Sequence, residues 1–219
     1  MKENTMKILF EDDFIIVAIK PIGILSQADS HGGESMISML ENHTGGSIYP
    51  LHRLDREVGG VMVYAKTQKA AAILSKDIAE RNFKKEYIAL VHGNPQESSG
   101  EMQDLLFKDS SKNKVFIVKK ERKGVKKASL EYEVLNTSEC ENDMYSVVRI
   151  LLHTGRTHQI RVQFASRKMP LAGDRKYGAR DTFKEIGLWS YRLNFTHPKT
   201  KEPLIFKAEP ENIIKEFLK

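Results

Sequence analysis

Residues 51 to 66 read LHRLDREVGGVMVYAK, and they set one carboxylate, Asp55, between two guanidinium groups, Arg53 and Arg56. A nearby arginine favours the ionised form of an acid. An anion held in that way can serve as a nucleophile or as a stabiliser of developing positive charge. The apolar run VMVYAK reads as a buried strand, with Gly59-Gly60 as a bend that brings the backbone in close. Asp55 then lies on a loop at the mouth of a strand, where functional groups concentrate. These residues alone support a structural aspartate and a catalytic one equally.

A second stretch, HTGRTHQIRVQFA, gathers His153, Arg156, His158 and Arg161 within nine positions. Thr157 is placed to cap a helix, with His158 at its first position and Arg161 one turn in, where donors can meet an anion. Solvated arginines are a fair account of Arg156 and a poor one of Arg161, which stands among Ile160, Val162 and Phe164. A buried arginine calls for a partner, and Asp55 is one candidate. In a third stretch, FKKEYIALVHG, Tyr87 begins an otherwise apolar strand. It reads as a core aromatic with its hydroxyl at the rim, or as a platform on which a base stacks. From Lys119 to Lys127, KKERKGVKK, six of nine residues are basic. That run is a solvated loop or a loop that contacts phosphates.

The elements that must carry these groups are mostly strands. KILF and FIIVAIK flank an EDD turn, and VMVYAK, KEYIALVHG, EMQDLLF, KVFIVKK, ASLEYEVLN, MYSVVRILLH, LWSYRLNFTHP and PLIFKAE follow. Several alternate with period two, as strands with one wet face do. ESMISMLENH, QKAAAILSKDIAER (capped by Thr67), HQIRVQFASR and ENIIKEFL read as helices. The pattern predicts an α+β fold, a mixed, mostly antiparallel sheet with packed helices. The 219 residues suit one domain. Continuous Gly-rich phosphate fingerprints are missing. One cysteine, Cys140, excludes an intramolecular disulfide and a Cys-rich zinc site. No apolar run is long enough for a membrane helix, and no signal-peptide pattern opens the chain. The expectation is a cytoplasmic protein, and nothing demands more than a monomer. A net charge of +6 favours a polyanionic partner.

Taken together, the blocks resemble the RluA-type family of RNA pseudouridine synthases. They are IVAIKPIGIL, then HRLD followed by a glycine and a strand ending Ala-Lys, then KEYIAL, GRTHQIR and PLAGDRKYG, in that order from about Ile8 to the C-terminus. The resemblance implies a pseudouridine synthase fold with a central RNA-binding cleft and no cofactor. It implies that specific uridines in structured RNA are isomerised after being flipped from the stack. Asp55 matches the catalytic aspartate and Arg161 the arginine that pairs with it. Tyr87 matches the aromatic that stacks on the target base, and Arg53 the arginine that enters the RNA stack.

The chain departs from the pattern in places. Val58-Gly59 replaces Thr-Ser, Gln163 stands where His is frequent, and Lys168 where Gly is. The sequence starts at the catalytic domain, so residues 1–219 read as one such domain without the small N-terminal RNA-binding module of many relatives. Ribosomal RNA is the favoured target, with transfer RNA close behind. Two other readings were weighed: a catalytically inert RNA-binding paralogue, and a metal-dependent hydrolase using His52, Asp55, His153 and His158. Intact Asp55, Tyr87 and Arg161 argue against the first. Ligand spacing and the surrounding arginines argue against the second, so no metal is expected.

Overall fold

The computed structural model describes residues 6–28 and 33–218. In chain order the elements are β1 (Lys7–Glu11), β2 (Ile15–Lys20), α1 (Met36–Thr44), β3 (Tyr49–Pro50), β4 (Gly59–Ala65), α2 (Gln68–Ala79), β5 (Lys84–His92), β6 (Ser99–Asp109), β7 (Lys114–Val118), β8 (Val125–Cys140), β9 (Asp143–Leu152), α3 (Gln159–Ser166), a single 3-10 turn at Arg175–Tyr177, β10 (Leu188–Thr196), β11 (Pro203–Lys207) and α4 (Ile214–Phe217). The fold is α+β with antiparallel strand pairing, as the alternation of the sequence predicts. It divides into two compact units, residues 1–85 with 190–209, and residues 86–189 with 210–219.

In the first unit β2 pairs with β1 on one side and β4 on the other, β3 adds to β4, and β11 to β10. Every residue of β2 and of β4 is buried. That is why IIVAIK and VMVYA run apolar without alternation: a strand covered on both faces has no wet side to mark. The helices begin on identifiable signals. Ser35 and Ser38 cap each other at the start of α1, and Thr67 Oγ1 accepts the Ala70 N–H (3.1 Å) at the start of α2, as the sequence predicts.

Gly59 and Gly60 are a correction. They form no bend but are the first two residues of β4. Gly60 has a φ of 120°, and a Cβ there would stand 2.2 Å from the Ser190 carbonyl oxygen. The close backbone approach expected of this glycine pair is present, made inside a strand.

The second unit is an antiparallel run in the order β5, β9, β8, β6, β7, with a bulge between Val134 and Asn136 of β8. Leu106, Val115, Ala128, Val162 of α3 and Tyr177 form one apolar cluster in it. The terminal helix expected over ENIIKEFL is a single turn, Ile214–Phe217.

Thr157 does not cap α3. The N-cap position is His158, in the left-handed region at φ 48°, without a side-chain cap. Gln159 instead braces the turn before the helix: its Oε1 accepts from Thr154 Oγ1 (2.7 Å) and from the Arg156 N–H (3.1 Å). His158 therefore precedes the helix, and Arg161 is its third residue.

Candidate active site

Asp55 is half-buried on the connection from β3 to β4, and Arg53 is exposed on it. The peptide groups on both sides of Asp55 are tied to the segment that leaves β2. On the N-terminal side, Ser26 Oγ donates to the Leu54 carbonyl (2.8 Å) and accepts the Leu54 N–H (3.0 Å). On the C-terminal side, the Gly23 N–H donates to the Arg56 carbonyl (2.8 Å), and Arg56 Nε returns a bond to the Gly23 carbonyl (2.9 Å). Lys20 Nζ donates to the same Arg56 carbonyl (3.2 Å) and to that of Pro21 (2.8 Å). The Val58 N–H closes a turn onto the Asp55 carbonyl (3.0 Å). Every one of these bonds involves backbone atoms, so they fix where the Asp55 Cα and Cβ point.

Lys20 is wholly buried at the end of β2. Burial pulls its ammonium down to about 8, against the opposing attraction of Glu57 and Asp55 and with some help from Arg56. His52 packs its ring on Phe83 (6.2 Å between centroids), and its Nε2 faces the Val63 N–H at 3.5 Å. Burial, reinforced by the Lys85 charge, pushes it down to about 3, so the imidazole is neutral at physiological pH.

Tyr87 and Arg161 belong to the second unit. Tyr87 is buried in β5 opposite Ile150 of β9. Arg161 is buried in α3 and grips Asp174 through two bonds, Nε to Oδ2 (2.6 Å) and Nη2 to Oδ1 (2.9 Å). Its guanidinium also lies 5.3 Å from the centre of the Tyr177 ring. The Tyr177 hydroxyl accepts the Val115 N–H (2.9 Å) and lies 2.9 Å from His158 Nδ1. Asp174 is held by its own support. The Gly173 N–H donates to the Asp181 carboxylate (3.0 Å), and His92 Nε2 meets Asp181 at 2.6 Å.

Sequence reasoning gave Arg161 a buried partner but did not name Asp174, and gave no role to Tyr177, Ser26 or Lys20. PLAGDRKYG carried the first two in plain view: an acid and a tyrosine three apart fit either end of one 3-10 turn. Gln163, the departure from His, is fully buried and donates to the Met102 carbonyl (3.2 Å) and to Asp104 (2.7 Å). Two of the four groups of the metal-hydrolase reading are engaged elsewhere, His153 with Glu131 (2.8 Å) and His158 with Tyr177. Among the described residues no group of three or more His, Cys, Asp or Glu is arranged to hold a metal ion. Nor is any helix among them long and apolar enough to cross a membrane.

The family model described as RNA pseudouridylate synthase matches residues 14–166. The ribosomal large subunit pseudouridine synthase C of Buchnera aphidicola subsp. Baizongia pistaciae is 32% identical over 97% of this chain and 69% of its own length. The tRNA pseudouridine synthase C of Haemophilus influenzae is 29% identical over 93% of this chain and 92% of its own. In fold, the chain is similar to human RNA pseudouridylate synthase domain containing 1, with a TM-score of 0.78 at 22% identity, covering 94% of this chain and 84% of that one. The chain belongs to the RNA pseudouridine synthase family, isomerases that modify RNA.

Proposed function

We propose that this protein isomerises specific uridines in structured RNA to pseudouridine, with Asp55 as the nucleophile and without a cofactor. Ribosomal RNA is the favoured target and transfer RNA the next; relatives named for each are similar to this chain. One observation carries the reading of Asp55. Its neighbours on both sides are locked through backbone bonds by Ser26, Gly23 and Lys20. That is how a reacting side chain is preorganised, and an ordinary surface aspartate needs no such support.

Arg53, Tyr87 and Arg161 are the substrate-binding residues of the proposal. Exposed Arg53 is free to enter an RNA stack, and the Tyr87 ring offers a face to a base. The run from Lys119 to Lys127 supports an RNA partner, because all six of its basic residues are exposed. Lys127 pairs with Glu121 (3.0 Å) and Arg122 lies over the Phe107 ring (4.6 Å). The rest can meet phosphates, so RNA affinity should fall steeply with salt.

The test is a map of pseudouridines in total RNA from cells lacking this protein, complemented with wild type or with Asp55→Ala. Sites that disappear and return only with wild type name the substrate and make Asp55 essential. Sites restored equally by Asp55→Ala overturn its role as nucleophile.

A further inference from the structure

Most buried or half-buried amines of the first unit have an acceptor. Lys20 has two carbonyls, and Lys66 has Glu11 at 2.7 Å. Lys85, the second residue of β5, differs. The residue is only 7% exposed, yet no hydrogen bond or ion pair reaches its ammonium among the described residues. Two neighbours of the ammonium are rings. The Phe83 ring lies 6.0 Å from Nζ. His52, close enough to feel the Lys85 charge, is itself neutral. The 7% of the residue that stays exposed leaves it short of full enclosure.

A folded chain seldom buries a cation with neither a carboxylate nor a carbonyl to meet it, because the lost hydration is not repaid. Such a charge is kept where something outside the chain completes it. Resting on the proposed function above, we infer that Lys85 is an anion-binding residue that takes a phosphodiester oxygen of the RNA substrate. A lysine ammonium acts there as a point charge, which suits a phosphate with no fixed second contact. The neutral His52 adds no charge of either sign, so the positive potential at Lys85 stays uncompensated until the phosphate arrives. The stem, packed in apolar surroundings, holds that charge in one place. An exposed lysine of the 119–127 run lacks that restriction.

A merely structural lysine and an anion site predict opposite signs for one substitution. Removing an uncompensated buried charge should raise stability, whereas removing a packing or pairing group should lower it. Lys85→Met keeps the stem and deletes the charge; Lys85→Arg keeps the charge. The probe is a fluorescent single-stranded oligouridylate titrated over a range of salt, alongside thermal melting of each protein.

For Lys85→Met the expected result is weaker binding, with the slope of log affinity against log salt reduced by about 0.7, one single-strand phosphate. Its Tm should be higher than wild type, and Lys85→Arg should keep the wild-type slope. An unchanged slope overturns the inference, as does a lower Tm accompanying the lost affinity. Failure of wild type to bind the oligomer at low salt overturns it too, since such a contact does not depend on base sequence. Pseudouridine formation by wild type on total RNA is measured beside it. Product with an unchanged slope in Lys85→Met sinks this site and leaves the proposed function standing. A Lys85-dependent slope with no product does the reverse.

Discussion

The two units bury cations in opposite ways. In the second, Arg161 meets a sealed carboxylate through two bonds and sits over an aromatic ring. In the first, Lys20 is met by carbonyls alone, and Lys85 by no hydrogen bond or ion pair among the described residues, only by the Phe83 ring 6.0 Å away. The acids differ to match: Asp174 is used up by Arg161, while the Asp55 loop is held by neutral bonds to its backbone. The difference teaches where charge is structure and where it is kept for use. A paired guanidinium fixes geometry and adds little net charge. On the inference drawn for Lys85, a buried amine met by no carboxylate is kept for an anion from outside the chain.

The largest expected effect tests the paired side. Asp174→Asn leaves the Arg161 guanidinium facing an amide in a site with almost no water, and should cost about 3–5 kcal/mol in denaturant unfolding. Arg161→Met should cost a similar amount and nearly abolish turnover. Because each single change removes one half of a buried pair, the double change Arg161→Met with Asp174→Leu should cost much less than the two singles added together. Additive singles would mean that the pair is not energetically coupled, and the comparison between units would fail.

A smaller effect is expected from the neutral side. Ser26→Ala deletes one hydroxyl but orphans both the N–H and the carbonyl of buried Leu54. The stability loss should be about 1–3 kcal/mol. The kinetic readout says more than the stability. If the serine acts by aiming Asp55, kcat on RNA should fall at least tenfold with KM little changed, because substrate contacts are untouched. A loss confined to stability would make the bond structural only.

The strands were legible because burial on both faces writes itself as an unbroken apolar run, and IIVAIK and VMVYA show it. Thr67 was legible because an N-cap is a local event, decided within three residues. Thr157 misled for the same reason read backwards. The chain turns at His158, in the left-handed region, and α3 starts after it with no side-chain cap, which the three-residue window around Thr157 does not show. The order of motifs carried the family and singled out Asp55. What supports Asp55 was hidden, since Ser26 meets Leu54 across 28 positions and Lys20 meets Arg56 across 36. No periodicity encodes such a contact. Gly60 lies between the cases: the need for glycine showed in the sequence, but its cause, the Ser190 backbone at 2.2 Å, did not.

The smallest expected effect is also the one that reads the charge of Asp55 without substrate. The Lys20 amine is held down at about 8, against 10.5 in an unfolded chain. Below the lower value both states carry the proton, and the folded protein bears the full burden of a buried ammonium. Between the two values the unfolded chain holds a proton that the folded one lacks, so stability rises with pH; above 10.5 the relief is complete. The relief should reach about 3 kcal/mol at most. Lys20→Met removes the group, so wild-type stability minus that of Lys20→Met, followed from pH 7 to pH 11, should climb across the window. A flat difference would mean that the two carbonyls solvate the ammonium as well as water does. The lower edge of the window depends on Asp55, because an ionised carboxylate there is one of the two attractions that hold the Lys20 proton. Asp55→Asn should move that edge to lower pH, and an edge that stays put would mean that the carboxylate and the ammonium do not share a field.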